Sequence, residues 1–361
     1  MVLAVAGVLA LAACNPSSVA VEQGWSAPVV DEGSVFIGSR AGKFLSFAVN
    51  DITEASPLNL KDKSLNPKWK FPKTDDISLG AIYGDAALTP DRVFVVLNKV
   101  EKRTQTGLLY SLDRRTGDQQ WSKPTEGRIF GSPVVQDGVI YVADDEGIVY
   151  TFSAEDGTSL GKEQVAEKRF WTTPTVADGV VYIGSMDKKL YALDAKTLKP
   201  KWDQPFAADG AIVSRPLVTK DSVYVGAFDR KFYRIDKATG QKRKEFDGAA
   251  WFWNDAVLSP DGGLVFVGSL GGTIFALKAD TLEEVKRFST ESSIRGAPVK
   301  VGNSIYWVLE SGKVLAIKMT TLDQRTVSTL NAESLASPVW SNGFLYVHDN
   351  DEKLHKIAAP A

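Results

Sequence analysis

Residues 133–157 read PVVQDGVIYVADDEGIVYTFSAEDG, and the pattern of this stretch returns throughout the chain. The run Val139-Ile140-Tyr141-Val142-Ala143 is β-branched and aromatic and follows an Asp-Gly turn, which predicts a strand. A further strand is expected nine residues after Tyr141, at Tyr150. Since such runs are apolar without interruption, both faces of the sheet should be covered, as when sheets stack face to face.

The unit recurs eight times, and an aromatic residue in its second strand serves as the anchor for alignment. The anchors are Phe36, Phe94, Tyr141, Tyr182, Tyr224, Phe266, Tyr306 and Tyr346. A proline or alanine precedes each anchor by eight residues, except in the sixth copy, where a longer turn places Ala256 in that slot: Pro28, Ala86, Pro133, Pro174, Pro216, Ala256, Pro298 and Pro338. The third strands should contain Leu45, Tyr110, Tyr150, Tyr191, Tyr233, Phe275, Leu315 and His355. A regular period near forty residues indicates a repeat architecture.

A fourth strand is expected in each copy after a Thr-Gly or Thr-Leu turn, and in three copies it carries a tryptophan, at Trp69, Trp121 and Trp202. Four short strands in about forty residues are typical of a propeller blade. The sequence therefore predicts an all-β fold, an eight-bladed β-propeller of four-stranded antiparallel blades over residues 25–361.

The last copy lacks a fourth strand, because only four residues follow Ile357. The segment Ser18-Val19-Ala20-Val21-Glu22 alternates in polarity, and we expect it to complete the eighth blade and remove an exposed sheet edge.

The N-terminus departs from the repeat. Residues 1–13 are almost entirely apolar and too short to span a bilayer as a helix, which suits a signal peptide. Leu11-Ala12-Ala13-Cys14 resembles the bacterial lipobox, although no Lys or Arg precedes the apolar run. We expect Cys14 to carry a lipid, residues 14–24 to form a tether with the closing strand, and the protein to face the extracytoplasmic side of a bacterial membrane. The alternative is a buried apolar strand that ends in cysteine.

The segments Ala192-Leu193-Asp194-Ala195-Lys196-Thr197 and Ser111-Leu112-Asp113-Arg114-Arg115-Thr116-Gly117 resemble the PQQ-type propeller repeat. The likeness extends over residues 26–357. Together with the lipobox and eight blades, it is similar to the lipoprotein family of the outer-membrane barrel-assembly machinery. That resemblance implies a non-enzymatic, lipid-anchored binding scaffold with protein partners in the cell envelope and no cofactor.

Two other functions share this architecture. Quinoprotein dehydrogenases contain the same repeat and need PQQ, calcium and often a vicinal disulfide, but Cys14 is the only cysteine in this chain. A small-ligand or polysaccharide binder is the other alternative, because aromatic platforms stack on sugar rings. The formal net charge of -2 gives no basic field for nucleic acid.

The Asp-rich segments Asp144-Asp145-Glu146-Gly147 and Asp349-Asn350-Asp351-Glu352 raise the question of calcium. They lack the alternating oxygen ligands of an EF-hand, and turns that tolerate left-handed geometry account for them, so we expect no metal site. Only two histidines exist, His348 and His355, and we expect a structural role for His355.

The candidate site lies where the chain leads into each innermost strand, three residues before the aligned proline. Five of the eight residues there are aromatic, and arginines and aromatics flank them. The candidate binding face comprises Trp25, Tyr83, Phe130, Arg169, Trp171, Arg215, Trp251, Trp253 and Arg295. Two interpretations remain open: these aromatics wedge between neighbouring blades, or they form a concave apolar mouth with guanidinium donors for a peptide or an acidic ligand.

Two insertions interrupt the repeat. Residues Asn98 to Gln105 lie in the turn between strands two and three of the second copy, so a basic hairpin should rise beside the mouth. Residues Asn50 to Pro67 lie between strands three and four of the first copy and should project from the opposite face.

Overall fold

The computed structural model describes residues 26–40, 42–62, 64–74, 80, 82–101, 104–167 and 169–360. Within these ranges the chain forms 32 strands in eight four-stranded antiparallel sheets, with one short 3-10 helix at Val49–Asp51. The predicted all-β, eight-bladed propeller is confirmed. Cys14, Trp25 and the segment from Ser18 to Glu22 lie outside the described residues.

Each sheet is one blade, and its strands follow one another outward from the centre of the ring. The first four blades comprise β1 (Val29–Asp31), β2 (Ser34–Gly38), β3 (Phe44–Ala48) and β5 (Trp69–Phe71); β6 (Ala87–Leu88), β7 (Arg92–Glu101), β8 (Thr104–Asp113) and β9 (Gln119–Pro124); β10 (Val134–Gln136), β11 (Val139–Ala143), β12 (Ile148–Ser153) and β13 (Ser159–Gln164); β14 (Thr175–Ala177), β15 (Val180–Gly184), β16 (Lys189–Asp194) and β17 (Phe206–Ala207).

The other four blades comprise β18 (Leu217–Val218), β19 (Ser222–Gly226), β20 (Lys231–Asp236) and β21 (Lys242–Asp247); β22 (Val257–Leu258), β23 (Leu264–Ser269), β24 (Thr273–Lys278) and β25 (Glu284–Ser289); β26 (Val299–Val301), β27 (Ser304–Val308), β28 (Lys313–Lys318) and β29 (Asp323–Thr329); β30 (Val339–Ser341), β31 (Phe344–His348), β32 (Lys353–Ala358) and β4 (Leu58–Asn59).

The predicted alignment is also the observed register. In blade 3 the residue after the aligned proline, Val134, pairs with the anchor Tyr141, and Val142 pairs with Tyr150. The equivalent pairs recur in every other blade, from Val29 with Phe36 in blade 1 to Val339 with Tyr346 in blade 8. The second and third strands are therefore buried on both faces, and cores form between blades: Tyr182 and Leu190 of blade 4 pack with Val223 and Tyr233 of blade 5.

Three junctions between blades are built from a tryptophan and a glycine. The Trp202 indole N–H donates to the carbonyl of Lys237, 2.9 Å away, in the turn between the third and fourth strands of the next blade. Its ring lies against Gly240, where an added Cβ would be 2.6 Å from Cδ2 of the indole. Trp69 meets Gly117, and Trp121 meets Gly157, in the same way.

Blades 3, 5 and 6 lack the tryptophan and face a leucine in the next blade instead. Gly161 replaces the tryptophan in blade 3, and the turn residue that faces it is Leu198, 1% exposed. The same exchange pairs Lys244 with Leu282 and Lys286 with Leu322. All three leucines hold φ near +58°, a conformation that normally favours glycine. Their side chains fill the volume that an indole occupies elsewhere, which explains why the repeat's tryptophan is absent from those blades.

The outer edge of blade 8 is bordered by a strand from the first insertion. Leu58 and Asn59 pair with Leu354 and Lys353, and the Leu60 N–H donates to the carbonyl of Glu352 at 2.8 Å. The expectation that residues 50–67 project from the opposite face is therefore wrong, because this segment crosses from blade 1 and runs along blade 8. The closing role expected of residues 18–22 lies outside the described residues and stays a prediction.

The Asp-rich turns are held by their own backbone. Asp144 accepts the Glu146 and Ile148 N–H groups at one oxygen, and the Tyr150 hydroxyl at the other, 2.8 Å away. Asp349 makes the same turn, and Nε2 of His355 replaces the tyrosine hydroxyl at 2.7 Å. Burial works to raise the pKa of Asp349, but the His355 contact and the N–H groups outweigh it and lower that pKa. The structural role expected for His355 is thus explained.

His348 lies at the seam between blade 8 and blade 1. It is 6% exposed, its Nδ1 is 3.4 Å from the carbonyl oxygen of Ser26, and its Nε2 has no hydrogen-bond partner. Burial lowers the pKa of His348; the Ser26 carbonyl and the carboxylates of Glu352 and Asp349 oppose that change, and Arg40 adds to it. The folded seam therefore prefers the neutral imidazole.

A pH dependence of stability follows from this preference. Because the pKa of His348 is lower in the folded than in the unfolded protein, its contribution is present above about pH 6.5 and is lost as the pH falls further. The loss is at most about 1.4 kcal/mol for each pH unit, the limit for one proton. Between pH 7.5 and 5 the melting temperature should fall more steeply for the wild type than for His348→Val. Valine is the chosen replacement because it occupies this position in blades 2 and 7. The control His355→Tyr should keep the steep fall, and equal slopes for His348→Val and wild type would contradict the assignment.

Candidate functional site

A cavity of about 400 Å³ opens at the centre of the ring, and residues from all eight blades line it. Its walls are the segments that lead into the innermost strands of the blades. Three residues before each aligned proline lies the upper layer: Tyr83, Phe130, Trp171, Val213, Trp253, Arg295 and Leu335. One residue before it lies the lower layer: Ala27, Asp85, Ser132, Thr173, Arg215, Asp255, Ala297 and Ser337. We call this cavity the channel mouth.

The structure brings six of the predicted site residues together in the channel mouth: Tyr83, Phe130, Trp171, Arg215, Trp253 and Arg295. Arg169 is exposed and does not line the cavity, and neither does Trp251. Trp25 lies outside the described residues.

The aromatics of the upper layer also contact one another across blades. The ring centroids of Tyr83 and Phe130 are 5.2 Å apart, and those of Phe130 and Trp171 are 5.5 Å apart. Such tilted pairs stabilise the packing of adjacent blades. The two interpretations open at the sequence level therefore both describe these residues, since the rings pack against their neighbours and line the cavity.

A second aromatic group stands beside the cavity. Phe228 lies between Trp251 and Trp253, with centroid distances of 4.9 and 5.5 Å and nearly parallel rings. Trp251 remains 40% exposed, unusual for a side chain of this size. This three-ring stack presents an apolar surface formed by the connection between blades 5 and 6 and by the turn between β19 and β20.

Two arginines of this face, Arg128 and Arg295, are neutralised by carboxylates. Arg128 pairs with Asp145 at 3.0 Å and stacks over Phe130, and Arg295 pairs with Glu310 at 3.3 Å. Arg215 has no carboxylate partner within 4 Å among the described residues, and its Nε donates to the Thr175 hydroxyl at 3.4 Å. The expectation of guanidinium donors for an acidic ligand is thus reduced to one arginine in the cavity.

The lower layer forms a belt of hydrogen bonds from blade to blade. The Asp85 N–H donates to the Ser132 hydroxyl at 2.8 Å, and the Ser132 N–H donates to the Thr173 hydroxyl at 2.9 Å. The same link joins the Ala27 N–H to Asp85 at 2.6 Å and the Arg215 N–H to Asp255 at 3.0 Å. Short polar side chains in this layer therefore hold adjacent blades together around the axis.

Asp85 and Asp255 are functional candidates that the sequence reasoning missed. They belong to blades 2 and 6, half a turn apart in a ring of eight, so they face each other across the cavity. The pKa of Asp85 is raised to about 6: burial is the largest cause and Asp255 adds to the rise, while the Ala27 N–H and Arg215 oppose it. Burial raises the pKa of Asp255 as well, against the attraction of Arg215. The available signal was a carboxylate in a slot that the other copies fill with Ser, Thr, Ala or, in one copy, Arg215.

The extended hairpin predicted in blade 2 is present. β7 and β8 pair from Arg92 with Asp113 up to Glu101 with Thr104, well beyond the blade. At its base the Asn98 side chain bonds to both backbone groups of Ile129, at 2.9 and 2.8 Å. Because Ile129 precedes Phe130, the hairpin is fixed beside the channel mouth.

Comparison with known families agrees with this architecture. The family described as outer membrane protein assembly factor BamB matches residues 66–169 and 159–359. The chain belongs to the BamB family. No curated protein matches the sequence of this BamB-family chain at the required significance.

Two solved structures show how widely the fold is shared. BamB from Moraxella catarrhalis superposes with a TM-score of 0.69 at 17% identity, over 92% of this chain and 93% of that one. The computationally designed Ika8 protein superposes with a TM-score of 0.73 at 14% identity, over 92% and 95%. At these identities the likeness concerns the fold alone.

The described part of this BamB-family chain contains no helix long and apolar enough to cross a membrane. Over the same ranges, no three His, Cys, Asp or Glu side chains are arranged to hold a metal ion.

Proposed function

We propose that this protein is a non-enzymatic scaffold of the bacterial envelope that takes part in outer-membrane protein assembly through protein contacts. Membership of the BamB family over most of the chain carries the proposal. The proposal includes the lipid on Cys14, which would hold the propeller at the extracytoplasmic side of a membrane. It assigns no cofactor.

The contact surface in this proposal is the face that carries the channel mouth and the three-ring stack. Trp251 and Trp253 support it, because exposed aromatics held by packing are typical anchors of protein interfaces. The neighbouring hairpin of blade 2 enlarges the same face.

Site-specific photo-crosslinking in cells tests the surface. A photoreactive phenylalanine at position 251 should form an adduct with a protein of the outer-membrane assembly machinery. The matched control is position 160, because Leu160 is another exposed large apolar residue, 52% exposed, on an outer strand. Equal adducts at both positions, or none at 251, would contradict the proposed surface.

Fractionation and ligand addition test the remaining parts. Cys14→Ala should move the mature protein from membranes to the soluble extracytoplasmic fraction.

Addition of PQQ with calcium should leave the melting temperature unchanged. A marked stabilisation together with dye-linked turnover would favour a dehydrogenase instead.

A further inference from the structure

The lower layer of the channel mouth carries more negative than positive charge. Asp85, Arg215 and Asp255 are its ionisable members, and the upper layer adds Tyr83 and Arg295, whose guanidinium already pairs with Glu310. With both aspartates ionised, one carboxylate remains without a compensating cation among the described residues. Asp85 is the less compensated one, because Arg215 is the main group that opposes the pKa rise of Asp255 but only the last of the causes that act on Asp85.

The two aspartates are held in position with half of their acceptor capacity unused. Oδ1 of Asp85 accepts the Ala27 N–H, and Oδ1 of Asp255 accepts the Arg215 N–H. Within the described chain, Oδ2 of either residue has no hydrogen-bond partner. A carboxylate can accept several hydrogen bonds, so the Oδ2 atom of each aspartate remains available to a donor in the cavity.

Aromatic side chains share the cavity with these carboxylates. Tyr83, Phe130, Trp171 and Trp253 line the same cavity. An aromatic ring attracts a cation to its face by about 0.5–2 kcal/mol, and the attraction grows as water is excluded. Carboxylates below and rings around form a concave site whose charge and shape favour a cation on an apolar stem.

We propose that the channel mouth binds the cationic end of a lysine or arginine side chain presented by a protein partner, with Asp85 as its principal acceptor and Asp255 as the second. The long aliphatic stem of such a side chain passes the aromatic layer while its charged end reaches the belt. The inference rests on the proposed function, since it names the chemistry by which the scaffold recognises its partner.

Binding must compete with protonation of the acceptor. Since the pKa of Asp85 is raised to about 6, its carboxyl becomes neutral as the pH falls through that value and loses its attraction for a cation. Asp255, Arg215, Tyr83 and Arg295 are the other ionisable groups of the cavity, and of these Arg215 lowers the pKa of Asp85 while Asp255 raises it. Affinity should therefore decline between pH 7 and pH 5.

Peptide titration of the full-length protein tests the inference. The probes are an acetylated, amidated pentapeptide Ala-Ala-Lys-Ala-Ala and its norleucine counterpart, followed by tryptophan fluorescence because Trp171 and Trp253 line the cavity. The lysine peptide should bind about tenfold more tightly than the norleucine peptide, as expected for a charged hydrogen bond. Asp85→Asn, which keeps an acceptor for the Ala27 N–H, should abolish that preference and the dependence on pH. The control Asp280→Asn removes the same charge at an exposed turn and should change neither.

Three outcomes would overturn the inference: equal binding of both peptides, an unchanged lysine preference in Asp85→Asn, or saturation by calcium alone that blocks the lysine peptide. Crosslinking at position 251 in the Asp85→Asn background separates the two proposals. If crosslinking at position 251 still yields the adduct, but the wild type binds the lysine peptide no better than the norleucine peptide, the scaffold function stands and the cation site fails. If position 251 yields no adduct in the wild type, the scaffold surface fails, and the peptide titration still decides the cation site.

Discussion

Gly240→Leu is expected to destabilise the propeller by at least about 3 kcal/mol, which is a large effect for one substitution and is caused here by a steric conflict in a packed core. The new Cβ would lie 2.6 Å from Cδ2 and 2.7 Å from Cε3 of Trp202, which is itself buried and bonded to Lys237. Neither the ring nor the turn can retreat without opening the junction between blades 4 and 5. Chemical denaturation followed by circular dichroism measures the loss.

A second substitution should repair this damage. Trp202→Gly alone leaves a cavity and should cost about 3–5 kcal/mol. The double variant Trp202→Gly, Gly240→Leu reproduces the arrangement of Gly161 and Leu198 between blades 3 and 4. It should be more stable than the sum of the single changes predicts by at least about 2 kcal/mol. Simple additivity would show that the two kinds of junction are not alternatives for the same space.

Leu58→Asp is expected to open the ring at blade 8. Leu58 is buried between Leu354, Tyr346 and the core of blade 1, and a carboxylate there would be desolvated without a partner. We expect a loss of about 3 kcal/mol or more and a melting temperature at least about 5 °C lower. Limited proteolysis should cut first within residues 50–67.

Asn59→Asp is the matched control, because it introduces the same charge one residue away on the exposed side of the same strand. Its side-chain oxygen can still accept the Lys61 N–H, as Oδ1 of Asn59 does. The control should melt within about 1 °C of the wild type, as surface substitutions usually do. If Leu58→Asp behaves like this control, β4 does not contribute to closing the ring.

The repeat could be predicted from the sequence because its signals are local. Anchors such as Tyr141 and Phe266 lie in apolar strands between turns, and their spacing determines the register of each blade. The pairing of Leu58 with Leu354 could not be predicted in this way. A two-residue strand has no periodicity, and its partner lies near the other end of the chain.

The candidate site was predictable to a similar extent. Tyr83, Trp171 and Trp253 occupy the same slot in different copies of the repeat, so the ring brings them to one cavity, as the alignment suggested. The charge of the cavity was harder to predict from the sequence, because it depends on ion pairs and carboxylate contacts between residues that are distant in sequence. Arg295 is neutralised by Glu310, whereas Asp85 faces a carboxylate four blades away, and no local pattern reports either relation.

The position of β4 has a consequence for the order of events during synthesis. Blades 2 to 7 are each built from one continuous stretch, so they can assemble one after another as the chain emerges. The edge of blade 8 must instead wait for Lys353 and Leu354, which leave the ribosome only after the strands of blades 2 to 7. Until then Leu58 has no partner strand, and the early part of the molecule presents an open sheet edge. A chaperone that shields this edge before the ring closes would bind near Leu58, although the pairing that it protects is completed only by Lys353 and Leu354.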